Sequence, residues 1–409
     1  MLRIEKEKKR RVRSGVLMGA LVALVLGAGA IYGYDNLVLR AETTGVQSAS
    51  QVKPAAKPTS LESRMLVMGD VYWGRYINDW SMKSELTYAY PFSRLSEFER
   101  DTYDAWINDM ECPITNNPKV SSAVEDSTLQ FDCDPAYLPE AKKWFTVMTL
   151  ANNHTDNQGA EGLVETRQHL DEHGIQYFGT YDPDDDSHIC DVIALPARVT
   201  MSDRSEKQIK LPMVWCGYHG VFKTPSAESV QVMSQYAKRF NIVAMPHSGA
   251  EYKPEPDTIK TDFYRSLIDG GADVVIGDHP HWIQSSEAYK GKLIMYSLGN
   301  FIFDQQYNRE VTRSAVLSMT VSLDASDAPD LAQWMALGER CATYQDTCLQ
   351  MATDQELAKL PLKYHFAVLG SDNSGKLVHR ASAEQLADIK LRLRWQQTIS
   401  GLSGNNSGE

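Results

Sequence analysis

The chain has 409 residues, 43% of them hydrophobic and 23% charged, enough to bury the core of one large or two medium domains. Its formal net charge of −12 conceals an asymmetry: positions 1–13 hold seven Lys or Arg against two Glu, so the remaining chain carries about −17. An acidic body argues against nucleic acid as a partner, because phosphate binding draws on Lys and Arg.

After the basic start comes SGVLMGALVALVLGAGAIYGY, Ser14 to Tyr34, which has no charged residue. About 20 apolar residues span the hydrocarbon core as a helix, so this run predicts a retained transmembrane anchor rather than the shorter apolar core of a cleaved signal. The Lys/Arg excess keeps positions 1–13 on the cytoplasmic side and sends the body across the membrane. Residues 35–62 are polar and poor in large apolar groups over much of their length, and read as a linker. A globular domain is expected over 63–324, with 325–409 as a C-terminal extension without a chemical reading. Six cysteines suit an exported body, although six allow 15 pairings and the sequence does not choose among them.

Within the body, RMLVMGD (64–70), WFTVMTLANNH (144–154), NIVAMPHSG (241–249), ADVVIGDHPH (272–281) and KLIMYSLGN (292–300) contain near-continuous apolar runs. Such runs mark strands covered on both faces. Helical periodicity over 162–173 ends at Gly174, and over 261–268 before Gly270 and Gly271. Alternation of strand and helix predicts an α/β body.

The residues just past each strand carry the chemistry. Asp70, then Asn153 and His154, then His247, then His279 and His281 all stand beyond the carboxyl end of an expected strand, the edge where α/β folds bind ligands. With Glu111 they form a mixture of carboxylate, amide oxygen and imidazole suited to divalent metals. In His279-Pro280-His281 the two rings are spaced to reach different ions, with the proline stiffening the turn. A pair of ions needs a bridging carboxylate between them and can activate water. Glu251 is a candidate to orient His247, and Asn300 to order the loop beside the site. No GxSxG elbow or Walker loop offers a rival site.

The segments MGDVYWGR, NDMECPIT, LANNHTDNQG, MPHSGAEY, GDHPHWIQ and YSLGNFIFD resemble, in this order, the signature blocks of the bacterial capsule-synthesis CapA family, from about Met65 to Asp304. That family is associated with poly-γ-glutamate capsules and is similar in turn to the calcineurin-like metallophosphoesterases. The resemblance implies a four-layer αββα metallophosphoesterase-like sandwich behind the N-terminal transmembrane helix. It implies one or two divalent ions, Mn, Zn, Fe or Mg. Asp70 and His281 would bind the first ion, Glu111 would bridge, and Asn153, His247 and His279 would bind the second. His154 would be the catalytic group, as general acid or electrostatic stabiliser. Phosphoesterases commonly carry a His two residues after the first Asp; this chain has Tyr72 there, so the first ion has one ligand fewer. The implied protein sits on the cell membrane by a single span, its C-terminal domain outside, and makes, exports or attaches an anionic polymer beside capsule synthase membrane subunits. Two alternatives stand beside it: a metal-dependent hydrolase or transferase unrelated to capsule, and a non-catalytic assembly subunit.

Overall fold

The computed structural model describes residues 56–182 and 185–409. The strands that organise them are β1 (Pro58–Val71), β2 (Ala105–Met110), β3 (Val147–Thr149), β4 (Gln176–Phe178), β5 (Cys190–Met201), β6 (Glu206–Gly220), β7 (Ile242–Ser248), β8 (Val274–Ile276), β9 (Ser286–Tyr289), β10 (Lys292–Met295), β11 (Asn300–Ile302), β12 (Arg313–Asp324) and β13 (Lys363–Asp372). They form a mixed α/β fold rich in sheet.

Strand β1 is the seam. Its first residues, 58–62, pair antiparallel with β5, while residues 65–71 pair parallel with β2; β12 runs antiparallel along the opposite edge. From β1 the sheet therefore branches. One arm continues through the parallel strands β2, β3 and β4. The other passes from β5 to β6 and then through the parallel set β6, β7, β8 and β10, with β9 at the edge. Parallel strands end in the same direction, so the loops after β1, β2, β3, β7 and β8 are available to one site.

Period-2 alternation explains why β1 is continuously apolar from Met65 to Met68. Met65 and Val67 join one core with Ile107, Val147, Trp215, Val243 and Val275, which come from both arms of the sheet. Leu66 and Met68 point the other way, into a second core with Trp106, Phe145 and Met148. Both faces are dry, so no polar alternation is available. Among the helices, Gly159–His173 ends on Gly174, whose φ of +70° favours glycine. The helix Thr258–Asp269 is capped by Asp257, which accepts from the Lys260 amide.

Two expected boundaries shift. The stretch read as linker to residue 62 already enters β1 at Pro58. Residues 325–409 continue the main sheet, since β13 pairs with β12 from Arg313↔Asp372 to Ser322↔Lys363, and residues 56–409 form one compact unit. The expected anchor, 14–34, lies outside the described residues; among those described, no helix is long and apolar enough to cross a membrane. All six cysteines pair, as Cys112–Cys133, Cys190–Cys216 and Cys341–Cys348. The second bond joins register partners on β5 and β6.

Candidate metal centre

The loops after the parallel strands converge. Asp70 ends β1, Glu111 follows β2, Asn153 and His154 follow β3, His247 lies in β7, and His279 and His281 follow β8. All but Asn153 are buried. The structure brings all seven together.

Their atoms sort into two sets that share one residue. Ligand atoms of Glu111, His247 and His279 lie within 4.8 Å of one another, and so do those of Asp70, Glu111 and His281. His247 Nε2 is 2.7 Å from Asn153 Oδ1, 3.1 Å from His279 Nδ1 and 3.8 Å from Glu111 Oε1. Donor atoms each about 2.1 Å from one ion stand roughly 3.0–3.4 Å apart, so this spacing fits a shared cation. On the other side, His281 Nδ1 is 3.1 Å from Asp70 Oδ2 and 4.0 Å from Glu111 Oε2. The two histidines of His-Pro-His thus belong to different sets.

Neighbouring groups fix the rings. His247 Nδ1 lies 2.6 Å from Asp109 Oδ2, so it donates there and turns Nε2 toward the cluster. Asp109, which the sequence reading missed, does what Glu251 was expected to do. Glu251 is exposed, and no direct hydrogen bond or ion pair joins it to His247. Asn152 donates to Asp109 Oδ1 at 2.8 Å and, through its own Oδ1, accepts from the His154 amide at 3.0 Å. Asn300 spends its amino group on Gln305 and Val311, which leaves its oxygen 2.8 Å from His281 Nδ1.

His154 has a fixed tautomer. Asn157 Oδ1 accepts from the Phe131 amide at 2.8 Å and lies 2.8 Å from His154 Nδ1. The Nδ1 proton therefore goes to Asn157, and Nε2 faces the cluster as an acceptor, 3.9 Å from Glu111 Oε1. Beneath it Phe131 stacks on the imidazole with centroids 3.7 Å apart. Arg75 lies 4.6 Å from the centre of the Phe131 ring and is paired with Asp304 at 2.6 and 2.9 Å.

The turn itself is strained. His279 has φ +94° and His281 φ +58°, values that cost roughly 1–3 kcal/mol each for residues with a Cβ. The strain persists because both rings are held in the cluster.

The electrostatics of the cluster call for positive charge. Burial, then Asp70 and Asp109, pushes Glu111 well above the carboxylate range. Burial raises Asp109 to about 8, and burial with Asp70 and Asp109 raises Asp278. Burial also holds His247 and His279 well below the imidazole range. His281 differs: burial lowers it, but Asp70 outweighs that and leaves it raised. Asp70 Oδ1 and both Glu111 oxygens are buried without a hydrogen-bond partner. Unpaired buried carboxylates are costly, and a cation among them reverses these shifts. The residues present therefore fit a divalent metal.

Tyr72 takes no part in the cluster. Its hydroxyl donates to Glu125 Oε1 at 2.5 Å, and its ring stacks on Phe131 with centroids 4.6 Å apart.

Comparison with known proteins points to the same stretch of chain. The family described as Bacterial capsule synthesis protein PGA_cap matches residues 64–305, which contain every residue of the cluster. The capsule biosynthesis protein CapA of Bacillus anthracis is 25% identical over 319 residues, covering 75% of this chain and 72% of its own. The PGA biosynthesis protein CapA of Bacillus subtilis (strain 168) is 26% identical over 327 residues, covering 78% and 79%. Among solved structures, TT1561 of Thermus thermophilus aligns at a TM-score of 0.32 and 9% identity, over 62% of this chain and 93% of its own.

Proposed function

From the premise that this chain belongs to the bacterial capsule synthesis family PGA_cap, we propose that it is a membrane-anchored, extracytoplasmic component of capsule production. It acts through a divalent-metal centre on an anionic polymer, poly-γ-glutamate, beside the membrane subunits of a capsule synthase. The layering about β1 is read as an αββα sandwich of metallophosphoesterase type.

The observation that carries this reading is the shared position of Glu111. Its two oxygens, both buried and unpartnered, face His247 and His281 respectively. Glu111 would be shared by two ions, one held by Asp70 and His281 and the other by Asn153, His247 and His279. Bound there, divalent ions would activate water and stabilise a developing anion. They would also turn an acidic pocket into one that attracts a carboxylate chain. The chain's own residues orient and protonate. Asp109 holds the His247 ring, the Asn300 oxygen lies beside His281 Nδ1 on the ligand side, and Asn157 keeps His154 Nε2 toward the reacting group. At that atom His154 would act as a general acid or as an electrostatic stabiliser, the second being favoured by burial, which lowers it to about 3.

The exported location rests on the basic start, the uncharged run 14–34 and a body whose six cysteines all pair. One observation favours a second reading, a polymer-binding subunit without hydrolytic activity. Tyr72 points to Glu125, so the first ion has only Asp70, Glu111 and His281 with Asn300 alongside.

The test is capsule output from cells carrying His154→Ala, at matched membrane levels, with elemental analysis of the purified full chain. Catalysis predicts metal in the protein and a loss of output of about 10²-fold or more, the usual worth of a general acid or base. Normal output with metal still bound selects the binding subunit, and a metal-free wild-type protein removes the metal centre.

A further inference from the structure

Lys260 is a charged residue left over by the metal centre. It stands in the first turn of the helix Thr258–Asp269 and is 3% exposed, yet its ammonium has no hydrogen-bond partner and no carboxylate within 4.0 Å. Its Nζ lies 5.1 Å from the centroid of Tyr264. A buried ammonium without a direct partner is expensive, and burial lowers it to about 7 although Asp278, Asp70 and Asp257 pull the other way. Lys of ordinary function snorkels to water instead.

The surroundings keep it in place. Gly249, with φ +102°, follows the last residue of β7; a Cβ there would stand 2.8 Å from Lys260 Cδ, so only glycine leaves room for the stem. Lys260 forms part of the wall of an open cavity of about 280 Å³, together with Phe222, Lys223, Thr224, Ser248, Gly249 and Phe263. Ser248 adjoins His247, and the Lys260 charge is felt by Asp278, Asp70, His247 and His279. The cavity is therefore next to the metal centre and separate from its ligands. Its volume is below that of a whole small-molecule site and suits one charged group of a longer molecule.

We propose that this cavity is a carboxylate subsite, in which the Lys260 ammonium donates to one carboxylate of the polymer while a neighbouring unit of the same chain lies over the metal centre. The ligand class rests on the polymer reading given above. A carboxylate fits better than a phosphate. Lys223 and Lys260 both border the cavity, but Asp257 on the same wall and buried Asp278 behind it offset part of that charge, which leaves room for a single negative charge rather than the roughly −1.5 to −2 of a phosphate monoester. The competing role, a structural counter-charge for Asp278 acting through solvent, gives the opposite stability effect.

The experiment compares the full metal-loaded chain with its Lys260→Met variant. Calorimetric titration uses a short γ-glutamyl oligomer, with inorganic phosphate as a second probe. The variant is expected to bind the oligomer roughly tenfold to a hundredfold more weakly, the worth of one hydrogen bond to a charged group. Metal content should be unchanged and the melting temperature equal or higher, since a buried unpaired charge has been removed. Equal oligomer binding by both proteins overturns the subsite and leaves the polymer reading standing. A wild-type protein that does not bind the oligomer removes both. Lys260-dependent binding of phosphate in preference to oligomer overturns the carboxylate class, and a lower melting temperature with lost metal in Lys260→Met assigns the residue to structure.

Discussion

The two halves of the metal centre are built to different standards. On the second-ion side, His247 Nε2 has Asn153 and His279 within 3.1 Å, and its other nitrogen is anchored on Asp109. On the first-ion side, Asp70 and His281 have the shared Glu111 and the oxygen of Asn300, with Asp109 and His247 near Asp70 but already paired to each other, and the side chain two residues beyond Asp70 has gone to Glu125. Ligand number and outer-shell support set metal affinity. The expected consequence is that one ion would be held tightly and the other loosely, so that occupancy rather than fold would decide between catalysis and binding.

The largest expected effect comes from the residue common to both halves. Glu111→Gln keeps the shape and removes the charge. Elemental analysis should find both ions lost, whereas His281→Ala should remove the weaker ion alone. In metal-free protein the sign reverses: Glu111→Gln should raise the melting temperature, because a buried carboxylate with no partner has gone. Retention of one full equivalent of metal in Glu111→Gln would show that the halves do not share a ligand.

A smaller effect is expected behind the better-built half. Asp109→Asn leaves an oxygen for His247 but removes its anion, and it sets an amino group against that of Asn152. Affinity for the tighter ion should fall about 10–100-fold, read by chelator competition, with the weaker ion little changed. An equal fall at both would mean that Asp109 acts on the whole cluster.

How much of this was legible in the sequence differs between the halves for physical reasons. The runs containing β1, β7 and β8 stand out because both their faces are dry, and their ends deliver Asp70, His247, His279 and His281. Strand β2, AWINDM, does not stand out. It buries Asn108 and Asp109 within a core strand, so Glu111 comes after a segment that looks polar. Those buried polar groups serve the site: Asp109 meets His247, 138 positions along the chain, a contact that no local pattern encodes. Strands β5 and β6 escaped for another reason. More and less buried residues alternate only in the second half of β5, and β6 opens on the charged, mostly exposed stretch Glu206–Lys210, so Arg198, Lys207 and Lys210 interrupt the apolar runs. The cysteine pairs 112–133 and 341–348 are near neighbours in sequence, but Cys190–Cys216 depends on the β5–β6 register.

The smallest effect, and the sharpest check on the contrast, belongs to Tyr72. If its position has become structural, Tyr72→Phe removes only the hydroxyl that reaches Glu125, in a pocket where the ring still packs between Phe131 and Phe303. The loss should be about 1–2 kcal/mol of stability in urea denaturation, since the partner left behind is a buried carboxylate that retains the Asp132 and Arg75 amides. Metal content should not move at either half, because the Tyr72 hydroxyl is spent on Glu125, which belongs to neither ligand set. A change in the weaker ion's occupancy would place the phenol within reach of the first ion, and the contrast between the halves would then lie in the kind of ligand each uses rather than in its number.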